Sequence, residues 1–181
     1  MTCIVGVQNG GTVWIGGDSA ATDGHLNRTI ISDPKVFVKD GFAFGVCGSP
    51  KVLDAIAHII DLPEQEGTND RAFLVGIVVP AIREGLKQLD ATVQAMTGET
   101  CFEGEMLVGY RGKLYTLESN FQLIAAASGT AAIGSGGSIA TGSLQATRGK
   151  SPKRRILKAL EAATEGNAGV APPFVIVSVK K

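Results

Sequence analysis

Neither sign of charge prevails in this chain: 17 Lys and Arg stand against 17 Asp and Glu, for a formal net charge of zero. Nucleic-acid surfaces are built on excess basic charge, and membrane-surface segments on polybasic fields, so neither partner is expected. The one basic cluster, Lys150 to Arg155 with Lys158, reads as a solvated helix face. Cysteine is scarce, with three residues at positions 3, 47 and 101. They form no metal-ligand spacing and leave one thiol over in any disulfide scheme. A disulfide-stapled scaffold and a structural metal centre are thereby excluded, no cofactor is expected, and a reducing cytoplasm is the compartment implied. No apolar run approaches the roughly 20 residues that span a bilayer, and the N-terminus lacks the basic head and apolar core of a signal peptide. Internal repeats and low-complexity stretches are also absent.

The 181 residues are 44% hydrophobic, enough for one domain spanning residues 1–181 with a sizeable core. Glycine is plentiful and falls between short β-branched runs. Ile4-Val5-Gly6-Val7 and Val13-Trp14-Ile15 flank Asn9-Gly10-Gly11 and read as a hairpin that holds the start of the chain at a sheet edge. A polar loop from Ser19 to Ser32 follows, with His25 and Arg28 in solvent. Lys35 to Val38 and Phe42 to Cys47 form a second hairpin around Asp40-Gly41. Ser49-Pro50 starts a helix to about Asp61, with Leu53, Ile56, Ala57 and Ile60 as its apolar face. His58 lies off that stripe.

Asn69 or Asp70 caps a longer helix to about Val93, kinked at Pro80, with Phe73, Leu74, Ile77, Val78, Ala81, Ile82, Leu86 and Leu89 at helical spacing. Gly98 to Gly104 reads as loop. A third hairpin runs through Met106–Tyr110 and Lys113–Leu117, and Phe121–Ala126 is a further strand. Ala132-Ile133-Gly134-Ser135-Gly136-Gly137 opens a helix to about Thr147. Ser151-Pro152 caps another, with Ile156, Leu157, Leu160 and Ala163 inward, and Phe174–Val179 is the last strand. Strands, two helices, strands, two helices and a strand predict an α+β fold. The arrangement expected is a four-layer αββα sandwich, with two antiparallel sheets face to face between helix layers.

Thr2 carries the first chemical hint. If Met1 is removed, one residue presents a hydroxyl and a free α-amine on neighbouring carbons, a nucleophile beside its own base. An α-amine has a reference pKa of about 7.7–8.0 and acts as a base near neutrality with little tuning. Polar residues at strand ends supply the rest. Asp18 closes the second strand and Lys35 opens the third, and adjacent hairpins would bring both toward Thr2, where a cation favours the deprotonated hydroxyl and amine. Gly48 offers a backbone N–H for an oxyanion and room for close approach. Ser135 stands between glycines at a helix entry. Taken singly, each of these is an ordinary turn or edge residue, and Cys3 and Cys47 read as buried strand residues rather than nucleophiles.

Together, Thr-Cys-Ile-Val-Gly-Val at 2–7, Gly-Gly-Asp-Ser-Ala at 16–20, Asp-Pro-Lys-Val at 33–36, Gly-Val-Cys-Gly at 45–48 and Ala-Ile-Gly-Ser-Gly-Gly at 132–137 resemble the proteasome β-subunit family. In character they are nearest the bacterial HslV-type peptidases. The resemblance implies an N-terminal nucleophile hydrolase fold, cleavage of peptide bonds in unfolded polypeptides, a homo-oligomeric ring, and an ATP-driven unfoldase as partner. It places Thr2 as nucleophile, Asp18 and Lys35 as the charged pair behind it, Gly48 at the oxyanion and Ser135 near the threonine amine. After the last long helix the family carries an aspartate, then serine three residues on, then glycine. Here Glu165 stands in for the aspartate and Ala168 lacks the hydroxyl, ahead of Gly169. The segment from Leu62 to Asn69 and the Pro172-Pro173 pair also depart from the pattern, which implies a different unfoldase-docking surface. Two rival readings remain at this stage: a non-catalytic ring or scaffold protein, and an N-terminal nucleophile amidase acting on a small amide.

Overall fold

The structure, a computed structural model, describes residues 1–23, 25 and 27–181. The first hairpin joins β1 (Ile4–Asn9) to β2 (Thr12–Gly17). Its turn places Gly10 and Gly11 at φ 55° and 75°, the two successive left-handed residues that a tight hairpin matching strand twist requires. The stretch from Ser19 to Ser32, read as loop, contains a small ribbon, β3 (Ala20–Thr22) paired with β4 (Arg28–Ile30). Gly24 and Leu26 of that stretch lie outside the described residues. The second hairpin, β5 (Val36–Lys39) and β6 (Phe42–Gly48), turns at Asp40-Gly41 as expected.

Helix α1 (Pro50–Asp54) runs on into a π-helical turn, Ala55–Ile59. The wider turn rotates the buried face to Val52, Ala55, Ile56 and Ile60, leaving Leu53 and Ala57 half-buried and His58 exposed. Helix α2 (Asp70–Phe73) passes through a second π turn, Leu74–Val78, into α3 (Val79–Gln88). Asn69 caps it, its Oδ1 accepting the Ala72 N–H at 3.1 Å. Pro80 has no N–H to donate, and the π turn immediately ahead of it loosens the ladder where its ring would meet a carbonyl. That turn also brings Ile77 to the surface, against the expected face. The helix stops at Gln88, short of Val93, because Asp90 adopts φ 53°. Val93 belongs instead to a two-residue ribbon, β7 (Val93–Gln94) with β8 (Thr100–Cys101), inside the stretch expected as helix end and loop.

The third hairpin is β9 (Gly104–Tyr110) with β10 (Lys113–Leu117), followed by β11 (Leu123–Ala125). A strand that the sequence reading missed, β12 (Thr130–Ile133), precedes α4 (Gly137–Ala146), α5 (Pro152–Gly166) and β13 (Val175–Lys180). On α5 the buried residues are Ile156, Ala159, Leu160 and Ala163, and Leu157 is exposed.

The strands form two antiparallel sheets in the orders β12-β1-β2-β13 and β11-β10-β9-β6-β5. β1 is therefore an interior strand, not the edge expected: Ile4 pairs with Gly17 on one side and Ile133 on the other. Burial on both faces explains its unbroken apolar run. Ile4 points to the second sheet, among Val13, Ile15, Val36, Ala43 and Leu107. Cys3, Val5 and Val7 point the other way, onto Leu144, Ile156 and Leu160 of α4 and α5. The far face of the second sheet, Phe42, Phe44, Met106 and Val108, packs beneath Val52, Ile56, Leu74 and Ile82. The layers are helix, sheet, sheet, helix, the αββα sandwich expected. Gly45 lets the sheets close, since a Cβ there would lie 2.4 Å from Ile4 Cγ2. Among the described residues, no helix is long and apolar enough to cross a membrane.

Candidate active site

Strand pairing decides where the chain begins. β1 starts at Ile4, so Thr2 lies just before the sheet, flanked by the end of β2 on one side and the turn after β12 on the other. Three polar residues converge there almost without solvent: Thr2 is 8% exposed, Asp18 1% and Lys35 6%. The Lys35 ammonium spends its three donors on three acceptors. It donates to Thr2 Oγ1 at 3.0 Å, to Asp18 Oδ1 at 3.0 Å and to the Ala20 carbonyl at 2.5 Å. Burying a charge is costly unless it is paired and hydrogen-bonded, and both conditions are met here.

Asp18 is held as tightly. Its Oδ1 also accepts the Cys3 N–H at 2.9 Å, and its Oδ2 accepts the N–H groups of Ala20 at 2.9 Å and Ala171 at 3.4 Å. The carboxylate thus ties the start of β1, the end of β2 and the segment leading into β13 around one cation. The sequence pointed to Asp18 and Lys35. It offered no signal for the backbone groups of Cys3, Ala20 and Ala171, which any residue could supply.

The turn from Gly134 to Gly137 wraps the Thr2 backbone. Ser135 Oγ accepts the Thr2 N–H at 3.1 Å and stands 3.3 Å from the Thr2 carbonyl, which also accepts the Gly136 N–H at 3.2 Å. Gly134 adopts φ 85°, and a Cβ on it would lie 2.5 Å from Thr2 O, so only glycine passes this close. Gly48 adopts φ 104° opposite Gly104, with no room for a Cβ against Glu103 O. Gly48 and Thr2 both line a cavity of about 310 Å³. A wider groove of about 610 Å³ beside β11 shares no lining residue with that cavity.

The structure does not bring Glu165 to this site. It is exposed in the last turn of α5, and its side chain makes no hydrogen bond or ion pair among the described residues. From the segment after α5, it is the backbone N–H of Ala171 that reaches the cluster, at Asp18. Ala168 is exposed, and its carbonyl accepts from Arg28 Nη1 at 3.1 Å. Arg28, expected merely in solvent, therefore braces the loop that precedes β13. Of the basic cluster, Lys153 lies 5.1 Å over the Trp14 ring and Arg155 donates to the Leu144 carbonyl, so it too is more than a solvated face.

Met1 occupies the space next to Gly169, where a Cβ would lie 2.2 Å from the Met1 Cβ. Its amine donates to Thr22 Oγ1 at 2.7 Å, and its carbonyl accepts the Thr2 hydroxyl at 2.7 Å. With Met1 attached, the Thr2 nitrogen is an amide and no base. The two thiols nearest the cluster are inert: burial pushes Cys3 up to about 12 and Cys47 to about 11.

Glu105 was not foreseen. Burial raises its carboxyl above the usual range, the neighbouring Glu118 raises it further, and the Gly134 N–H pulls it partly back. A carboxyl raised in the folded state favours folding most when protonated and loses that advantage as pH rises through its folded value. Glu105→Gln keeps an acceptor for Gly134 and removes the repulsion. We expect its melting temperature to exceed the wild type's at neutral pH and to match it below the carboxylate range. Thermal melts at both pH values check this, and a gain of equal size at both would refute it.

No family model and no curated protein matches the sequence. Solved structures do. BPH from Thiobacillus denitrificans in complex with epoxomicin aligns at a TM-score of 0.82 and 15% identity, over 99% of this chain and 98% of that one. Eukaryotic HslV from Trypanosoma brucei aligns at 0.70 and 19% identity, over 99% and 100%. Anbu, the ancestral β-subunit, from Yersinia bercovieri aligns at 0.69 and 13%, over 99% and 82%. The chain has the proteasome-like N-terminal nucleophile hydrolase fold. In that proteasome-like fold, the Thr2, Asp18 and Lys35 cluster sits between the two sheets at the end where β1 begins.

Proposed function

We propose that this chain is an N-terminal threonine peptidase subunit. It acts once Met1 is removed, and hydrolyses peptide bonds of unfolded polypeptides inside a homo-oligomeric ring. The supporting observation is the buried Lys35 ammonium, 3.0 Å from the Thr2 hydroxyl and 3.0 Å from its Asp18 counter-ion. A cation so placed stabilises negative charge on Oγ1 without water to reorganise.

With Met1 gone, the Thr2 amine is free, held by Ser135. It takes the hydroxyl proton, directly or through a water, as Oγ1 bonds to the scissile carbonyl carbon. The carbonyl oxygen becomes an oxyanion held by the Gly48 N–H. The amine returns its proton to the leaving nitrogen as the C–N bond breaks, which leaves an ester on Thr2. Water then adds with the same amine as base, and the acid departs as the hydroxyl is restored. Glu165 takes no part in these steps. Ring assembly and an ATP-driven unfoldase belong to the same reading, in line with the fold shared with HslV.

The test is intact mass of natively expressed protein, then epoxomicin, the compound in the complex with Thiobacillus denitrificans BPH. The processed protein is expected to lack Met1, gain one epoxomicin per chain, scatter light as a ring and cleave fluorogenic peptides. The rival is the scaffold reading, in which Met1 stays on and the Thr2 nitrogen remains an amide donating to Ser135. Retained methionine with neither adduct nor cleavage would decide for that reading.

A further inference from the structure

Two polar side chains reach from the second sheet to the first beside Thr2. Lys35, just ahead of β5, is one, and its ammonium meets Thr2 and Asp18. Glu105, half-buried on β9, is the other. It stands opposite Cys47 of β6 and two residues before Leu107, so it faces the first sheet as Leu107 does. β12 packs across β9, and the chain leaves β12 at Gly134. There the Gly134 N–H donates to the Glu105 carboxylate. No backbone carbonyl among the described residues takes that N–H. A Cβ on Gly134 would lie 2.5 Å from Thr2 O and 3.5 Å from the Cys47 Cβ, so this residue is wedged between β6 and the backbone of Thr2. Its neighbour Ser135 makes the one hydrogen bond that the Thr2 nitrogen has among the described residues.

We propose that Glu105 is a positioning residue for the peptidase reaction: by holding the Gly134 amide, it fixes the turn that sets Ser135 against the Thr2 amine. This deepens the peptidase reading and rests on it. The amine must meet its own hydroxyl proton at hydrogen-bond distance, directly or through one water. A displacement of about 1 Å at such a group costs on the order of a hundredfold in rate. Glycine at 134 supplies no restraint of its own, and the carboxylate supplies it from outside. A hydrogen bond to a charged acceptor is roughly twice as strong as one to a neutral acceptor, which suits a carboxylate to this task. Glu118 adjoins the same carboxyl, and its repulsion works against the hold. Glu105 touches neither substrate nor reacting atoms. It acts through Ser135.

The test compares kcat and KM of the processed wild type, Glu105→Gln and Glu105→Leu on one fluorogenic peptide. Glutamine keeps an acceptor for Gly134, and leucine keeps much of the volume without one. Rates are counted per epoxomicin adduct formed at saturation, so an unfolded fraction cannot lower them. Glu105→Leu should lower kcat about tenfold or more and leave KM within about twofold, because the base is engaged in the transition state and not in binding. Glu105→Gln should keep kcat within about twofold of the wild type. Amide exchange at Gly134 should be slow in the wild type and in Glu105→Gln, and faster in Glu105→Leu. Should the leucine variant not fold, the exchange rate in the wild type and the kcat of Glu105→Gln decide. Unchanged kcat in Glu105→Leu, an equal loss in both variants, a loss carried by KM, or fast exchange at Gly134 in the wild type overturns the proposal. An active wild type keeps the peptidase reading standing in each of those cases. With neither adduct nor cleavage by the wild type, both readings fall.

Discussion

Thr2→Ala in the processed protein is expected to lower peptide cleavage by about 10⁴-fold or more while leaving folding and oligomeric state unchanged. The Thr2 hydroxyl accepts from Lys35 and donates to the Met1 carbonyl, and it contributes little to the core. Its loss leaves Lys35 still bonded to Asp18 and the Ala20 carbonyl, so the buried cation stays compensated. Thr2→Ser keeps the oxygen and amine and should retain measurable turnover, reduced because the serine rotor is less restricted. The readouts are fluorogenic peptide rates, epoxomicin adduct mass and light scattering on the same preparations. Wild-type rates in Thr2→Ala would end the mechanism.

Asp18→Ala should show the largest loss of stability of any single substitution at the site. It strips the counter-ion from Lys35 and the acceptor from the amides of Cys3, Ala20 and Ala171. Removing one partner of a buried ion pair costs about 3–5 kcal/mol, because the other charge remains buried without compensation. Urea denaturation measures it. The double variant Asp18→Ala/Lys35→Met should recover part of the loss, since the stranded charge goes with the lysine and methionine fills much of its volume. A change below about 1 kcal/mol in the single variant, the range of an exposed ion pair, would mean that solvent already compensates the pair. Both variants should be inactive, so stability and chemistry separate only in Thr2→Ala.

Much of this was legible in the chain. Gly10-Gly11, Asp40-Gly41 and Arg111-Gly112 mark their hairpins because left-handed turns favour few residues, and all three turns form. Asp18 and Lys35 stood out as charges interrupting apolar strands, a pattern that needs a reason, and they do meet at Thr2. β12 was not legible. Its four residues carry little alternation, and it is a strand because β1 offers it an edge. The π turns near Ala55 and Leu74 were equally hidden, since they answer to packing and to Pro80 rather than to propensity.

What residue types and local spacing determined on their own was the order of the main hairpins and helices, the two-sheet layering and the choice of Thr2, Asp18 and Lys35 as residues that meet. These follow from turn chemistry, periodicity and the cost of burying charge, all of which act over a few residues. Only the tertiary structure decided that β1 lies inside its sheet, that the Ala171 N–H reaches Asp18, and that Asp33 and Asp54 share a cavity with Thr2. Those facts depend on which distant segments pair, and on backbone groups that are alike in every residue.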